Sequence, residues 1–309
     1  WEVARDREFR EVVARGVAVA RAESDFTVKV DASALRSATT YFYRFNCLGL
    51  NSPVGRTRTL PRGSVEQARL AVVSCSNYPA GFFNVYAKIA ERDDLDAVVH
   101  LGDYIYEYDA AGYASEQAQQ LGRVVEPANE LLSLGDYRAR HAQDRRDLDA
   151  QAMHAALPMI AVWDDHEIAN DAWTGGAENH SEATEGTWAA RRAAAIQAYH
   201  EWMPTRLADP TRPDRIYRSF DFGDLLSLHM LDTRVVGRDE QLQLTQFFGA
   251  TGFDGAAFAS AIGNPARQLL GGEQTAWLQT QLARSPALWQ VLGQQVLMGQ
   301  ATRLAYGTD

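Results

Sequence analysis

Ala97-Val98-Val99-His100-Leu101-Gly102-Asp103-Tyr104-Ile105-Tyr106-Glu107 decides the fold. Its first five residues form an apolar run without alternation, the pattern of a strand buried on both faces. A glycine and a carboxylate then end it. The same grammar recurs on either side. Leu70-Ala71-Val72-Val73-Ser74 leads into Cys75-Ser76-Asn77, and Met159-Ile160-Ala161-Val162-Trp163 leads into Asp164-Asp165-His166-Glu167. Helical stretches are predicted at 83–92, 136–156, 187–202 and 273–284, with further apolar strands at 225–231 and 289–298. Strands alternating with helices predict an α/β layered sheet. Residues 109–133 and 236–268 read as long insertions, a loop length that often accompanies function.

Residues 1–62 follow a different rule. Val12-Val13-Ala14-Arg15-Gly16-Val17-Ala18-Val19-Ala20 predicts a strand, a turn at Gly16 and the start of a second strand. Phe26-Thr27-Val28-Lys29-Val30-Asp31 and Thr40-Tyr41-Phe42-Tyr43-Arg44-Phe45-Asn46-Cys47 alternate with period two. These are half-buried strands without helices, as in an immunoglobulin- or fibronectin-like sandwich. There is room for four or five strands, fewer than the seven or so of a complete sandwich. Pro53-Val54-Gly55 and Pro61-Arg62-Gly63 punctuate the exit. The expected division is a partial β-domain over 1–62 and a layered α/β domain over 63–309.

Composition narrows the function. The net charge is −10, and it is uneven: 1–62 holds eleven basic and seven acidic residues, the remainder nineteen and thirty-three. An acidic main domain argues against nucleic-acid binding, which needs a basic face. No run approaches the eighteen or so apolar residues of a membrane span. The chain opens on Trp1-Glu2-Val3-Ala4, with no export signal in view. Two cysteines, Cys47 and Cys75, make no disulfide framework. There is no Gly-x-Ser-x-Gly elbow and no Walker-type phosphate loop, which leaves metal-activated water.

Ligands of open α/β sheets bind outside the carboxyl ends of the strands. The three polar clusters fall there, offering a thiol, phenols, carboxylates and an imidazole. Hard oxygen donors suit Ca²⁺ or Mg²⁺, while thiolate and imidazole suit transition metals. The mixed set points to two metal positions sharing a carboxylate. Two metals roughly 3.5–4 Å apart can clamp the attacking and leaving oxygens of a phosphoryl group.

These motifs resemble PhoD-type alkaline phosphatases. The resemblance rests on Ser74-Cys75-Ser76-Asn77-Tyr78 with Gly81-Phe82-Phe83-Asn84, on His100 through Tyr108, and on Trp163 through Asp171. It extends to Tyr199-His200-Glu201-Trp202-Met203-Pro204 and Leu231-Asp232-Thr233-Arg234, and to the leading strands. It implies a four-layer α/β/β/α metallophosphatase sandwich and a binuclear centre of Fe³⁺ and Ca²⁺. By it, Cys75 and Tyr106 are iron ligands, Asp103 bridges both metals and Asp165 holds the second. His166 stands near the leaving-group oxygen, oriented by Glu167. The implied activity is hydrolysis of small phosphate esters, in a periplasmic, cell-surface or secreted protein. The family's pattern continues to a further Asp/His-bearing segment, which does not occur before Thr308-Asp309. A piece cut at both ends, weak in metal binding and activity by itself, is therefore expected.

Plainer roles compete for the same residues. Cys47 is a packing residue with no assigned role. Asp103 could cap a turn, and at least one of Tyr104, Tyr106 and Tyr108 is structural. Asp164 and Asp165 repel each other, so a nearby cation is expected. His100 packs, His229 is a satisfied core histidine, and His141, His154, His180 and His200 are expected at the surface. Asp232 and Arg234 are left outside the site, an internal ion pair serving as well as a phosphate contact. Competing functions are a phospholipase D-like or nucleotide phosphodiesterase on the same scaffold, and a non-enzymatic surface-binding protein. The oligomeric state is not encoded in any feature of the sequence.

Overall fold

The computed structural model describes residues 1–207, 209–250 and 252–298. Thr308-Asp309 lie outside the described residues.

Ala97–His100 is the central strand of a parallel three-stranded sheet, between Leu70–Val73 and Met159–Ala161. All four of its residues are buried, which explains the absence of alternation. Val98 packs into one apolar cluster with Phe83, Tyr86, Ala150, Met153 and Leu157. Ala97 and Val99 enter the larger core on the opposite face. Each such valine contributes roughly 1.5–3 kcal/mol of burial. The helices Asn84–Ala90 and Leu148–Ala156 pack on each other and cover the first face.

The opposite face meets a second sheet. Leu226–Met230 is its middle strand, antiparallel to Arg218–Phe222 and parallel to Trp289–Gly293. Leu226, Leu228 and Met230 join the shared core. His229, pointing the other way, meets Trp277 of the helix Gly271–Arg284. The order is thus helices, sheet, sheet, helix, the four layers expected. Trp188–Trp202 packs on Leu134–Asp144 and adds Ala195, Ile196, Ala198 and Tyr199 to the same core.

Three local expectations fail for identifiable reasons. The helix predicted over 136–156 is two helices, because Asp147 caps a fresh start by accepting from Asp149 N and Ala150 N at 3.0 and 3.1 Å. The insertions carry structure of their own: a helical turn at Ala118–Leu121, a helix at Gly255–Ile262, and the hairpin Phe248–Gly249 with Gly252–Phe253. The alternating stretch 26–31 forms no strand. Asp25 and Phe26 are left-handed, and the stretch straps across the end of Trp188–Trp202. There Lys29 Nζ donates to the carbonyls of His200 and Thr205, and Trp202 Nε1 donates to Asp25 at 3.1 Å. Satisfying the last carbonyls of a helix outweighs the pull of alternation. Residues 17–20 form no strand either. Four N-terminal strands make one antiparallel sheet in the order Val12–Arg15, Glu2–Ala4, Thr40–Arg44, Gly55–Arg58, and Asn46–Cys47 pairs with Leu50–Asn51 as a separate hairpin.

Candidate metal centre

The three polar strand ends converge. Gly102 has φ +110°, and a Cβ there would lie 2.3 Å from Asp164 N, so only glycine lets this turn cross the third strand end. Cys75 and Asp103 are left-handed too, at φ 62° and 57°. Such strain costs on the order of 1–3 kcal/mol and collects where side chains must be re-aimed. Backbone bonds lock the first two turns together, Cys75 N to Gly102 O at 3.1 Å and Ser76 N to Asp103 O at 2.8 Å.

All five predicted site residues meet here. The Cys75 thiol and the Tyr106 hydroxyl donate to the same oxygen, Asp103 Oδ2, at 3.4 and 3.2 Å. Asp103 Oδ1 is buried and has no partner among the described residues. Asp103, Asp165 and His166 offer ligand atoms within 4.8 Å of one another. Burial raises the Asp103 carboxyl above its usual range, with His166 opposing and Asp165 reinforcing. Burial likewise raises the Cys75 thiol and the Tyr106 phenol. Both therefore stand protonated, as donors to Asp103. A cation would replace those protons and occupy the orphaned Oδ1. The donor set of thiol, phenol and carboxylate fits a ferric ion, and Asp103 with Asp165 fits a hard divalent ion.

The orienting residue of His166 is Glu107, not Glu167. Glu107 is fully buried and its Oε2 lies 2.8 Å from His166 Nδ1. Its Oε1 accepts from Asn170 N at 2.6 Å and Asn179 Nδ2 at 2.8 Å. Glu167 instead accepts from Asp103 N, Tyr104 N and Asp164 N at 2.9, 2.6 and 2.8 Å, clasping two strand ends to each other. Consecutive side chains at a strand end diverge, so the glutamate next in sequence is not next in space. Burial by itself would lower the His166 pKa. The hydrogen bond and charge of Glu107, with Asp165 and Asp103, outweigh it and raise the value to about 9. The ring is flanked by Tyr106 and Tyr108, with centroids at 4.3 and 5.4 Å.

Arg234, left outside the site on sequence, belongs beside it. Its guanidinium reaches Asp164 at 2.6 Å, Asp165 at 3.3 Å and Asp171 at 3.2 Å. The cation beside the adjacent carboxylates is thus carried by the protein itself. Even so, burial raises the Asp164 pKa to about 7 against the pull of Arg234. Asp232 does not pair with the Arg234 side chain. It accepts from Arg234 N and Val235 N at 2.8 and 2.9 Å and fixes the turn that delivers the arginine. The signal available was position: Asp232 and Arg234 follow an apolar strand as the other clusters do.

The remaining histidines divide. His100 packs as expected, with Nε2 2.9 Å from Tyr86 OH. His229 is satisfied by Ser219 and Gln290 at 2.7 and 2.9 Å. The surface expectation fails for the others. His141 and His200 are buried, the His180 side chain is nearly so, and His154 lies 2.9 Å from Tyr104 OH. Their helices are enclosed by neighbours rather than lying on the surface. Tyr104, held by His154 and 2% exposed, is the structural tyrosine of its motif.

Comparison with known proteins identifies the family and the fold. A family profile described as PhoD-like phosphatase matches residues 70–308, and one described as the PhoD-like phosphatase N-terminal domain matches residues 1–61. The chain belongs to the PhoD-like phosphatase family. Alkaline phosphatase D of Bacillus subtilis (strain 168) is 40% identical over 305 residues, 97% of this chain and 50% of that relative. A solved structure of PhoD superposes with a TM-score of 0.85 at 38% identity, over 97% of this chain and 55% of that one. This PhoD-like chain therefore spans about half the length of the relatives it matches. The layered fold expected from the strand pattern is the PhoD fold. Among the described residues no helix is long and apolar enough to cross a membrane.

Proposed function

We propose that the chain carries the site for metal-dependent hydrolysis of small phosphate esters. The supporting observation is the meeting of Cys75, Tyr106, Asp165 and His166 around Asp103, whose buried Oδ1 has no partner among the described residues. In this reading 1–62 is a partial β-domain and 63–309 carries the chemistry. Cys75, Tyr106 and Asp103 would hold Fe³⁺, and Asp103 with Asp165 would hold Ca²⁺. Bound there, the ions supply a water of lowered pKa and positive charge against the phosphoryl oxygens.

The protein's own residues do the rest. Glu107 fixes the His166 ring through Nδ1, which leaves Nε2 to face the leaving group. With a pKa of about 9, His166 carries a proton at neutral pH. It can donate that proton, or its charge, to the departing oxygen. Arg234 holds Asp165 through one oxygen, and Asp171 N donates to the other at 2.6 Å. Asp165 is thereby oriented before any ion arrives. Family likeness supports a periplasmic, cell-surface or secreted setting.

The test is metal analysis of the full-length protein with an absorption spectrum and hydrolysis assays on mono- and diesters. Bound iron and calcium with a tyrosinate-to-iron band are expected, band and activity both lost in Tyr106→Phe. An active enzyme without iron or band would refute the roles of Cys75 and Tyr106.

A further inference from the structure

The mouth of the site carries an aromatic residue that the hydrolytic machinery does not use. Tyr113 is 64% exposed. Its ring lies 6.4 Å from Tyr106, nearly parallel at 26°, and 6.2 Å from Tyr108. Those two rings are the ones that flank His166. A continuous aromatic surface therefore runs from the partly buried imidazole out to solvent. Singly exposed aromatics are common and carry no message. This one is continuous with the site and is held in place.

Three features hold it. Asn77, two residues beyond Cys75, donates from Nδ2 to the Tyr113 carbonyl at 3.1 Å. Ser115 Oγ donates to Gly112 O at 2.7 Å, and Ala111 N donates to Asp109 Oδ1 at 2.9 Å, closing the turn around it. A Cβ on Gly112 would lie 2.5 Å from Tyr108 Cβ, so glycine lets this turn lie against Tyr108. The turn is thus tied to the Cys75 loop on one side and to the His166 wall on the other. Its large side chain is left facing water.

We propose that Tyr113, with Tyr108, forms a subsite for a planar aromatic group on the organic part of the ester, an aryl ring or a nucleobase. This rests on the phosphate-ester reading above and adds to it a preference among esters. Ring stacking is tolerant of ring identity and needs no hydrogen-bond code. The subsite therefore favours a class of substrate over small acyclic alcohols.

The experiment compares kcat/KM for a nucleoside monophosphate and for glycerol phosphate, using the metal-loaded full-length protein and its Tyr113→Ala and Tyr113→Phe variants. The ratio of the two values is expected to fall about tenfold in Tyr113→Ala, equivalent to about 1.4 kcal/mol. The change should lie in KM for the nucleotide. Tyr113→Phe, which keeps the ring, should hold the ratio within about twofold of the original. A ratio unchanged in Tyr113→Ala, or an equal loss on both esters, overturns the subsite and leaves the phosphatase reading standing. If the unmodified protein hydrolyses neither ester, the subsite is overturned for monoesters, and if it hydrolyses no diester either, the phosphate-ester reading fails as well.

Discussion

Asp144 should make the protein less stable as pH rises, and replacing it with asparagine should abolish that dependence. It ends the helix Leu134–Asp144, is 1% exposed, and neither carboxylate oxygen has a hydrogen-bond partner among the described residues. Three arginines lie near, but their bonds go elsewhere. Arg140 donates to the carbonyls of Tyr106, Tyr108, Glu126 and Pro127, Arg123 to Tyr78 O and Asp147, and Arg145 to Trp202 O. Burial therefore prevails and raises the Asp144 pKa from 3.8 to about 8. Between those values the unfolded chain has released a proton that the folded chain retains. The stabilisation is complete below about pH 4, declines across the window and is lost above about pH 8. A tenfold change in proton affinity is about 1.4 kcal/mol, so the whole swing is roughly 6 kcal/mol. Asparagine mimics the neutral carboxyl and does not titrate. In urea unfolding, Asp144→Asn should gain roughly 4 kcal/mol on the original protein between pH 5 and pH 9. A difference constant with pH, or an asparagine variant that loses ground towards pH 9, would mean that the arginines keep Asp144 ionised, and the reasoning would be refuted.

Two further outcomes follow from the same geometry. Glu107→Gln removes the charge that lifts the His166 pKa to about 9. It should lower kcat on the order of 100-fold and move the alkaline limb of the kcat–pH profile to lower pH, with KM little changed; an unmoved limb would separate Glu107 from the proton donor. Arg234→Met removes the buried cation from Asp164, Asp165 and Asp171. The metal-free protein should lose about 3 kcal/mol, and added Ca²⁺ should raise its Tm more than it raises that of the original. Equal calcium shifts in thermal unfolding would count against electrostatic restraint of Asp165 by Arg234.

Much of the fold was legible because its signals are local. A buried parallel strand has to be apolar throughout, and its end has to turn, so Ala97 through Asp103 could be read without any partner in view. The polar clusters at the strand ends followed from that punctuation, while the choice of Cys75, Asp103, Tyr106, Asp165 and His166 within them came from the family resemblance. What escaped was set by partners distant in sequence. Glu107 orients His166 across 59 residues, while the adjacent Glu167 is held by three backbone N–H groups. The helix Trp188–Trp202 was legible as a helix, but not which of Arg191, Arg192, Gln197 and Glu201 its neighbours enclose. Arg191 is buried, donating to Glu130 at 2.7 Å and to Tyr137 OH at 3.2 Å. The alternation at 26–31 was real as a pattern, but Lys29 met unsatisfied helix carbonyls instead of a neighbouring strand.

The charges around the strand ends explain why so much of the local structure is clasped. Asp103, Asp164, Asp165, Asp171, Glu107 and Glu167 gather there, against Arg234, Arg238 and His166. The carboxylates outnumber these cations, leaving an excess of negative charge if all were ionised. In the absence of an ion the protein meets that excess with protons, since burial raises Asp103, Asp164 and Glu167 above their usual range. Backbone donors and Arg234 hold the carboxylates in place while their mutual repulsion would drive them apart. An arriving cation then displaces protons and meets ligands already oriented, so little of its binding free energy goes to ordering them. The left-handed residues Cys75, Asp103 and Asp171 fit the same account. Their strain is tolerable only where surrounding contacts over-determine it, and those contacts are the clasps that bring the ligands together.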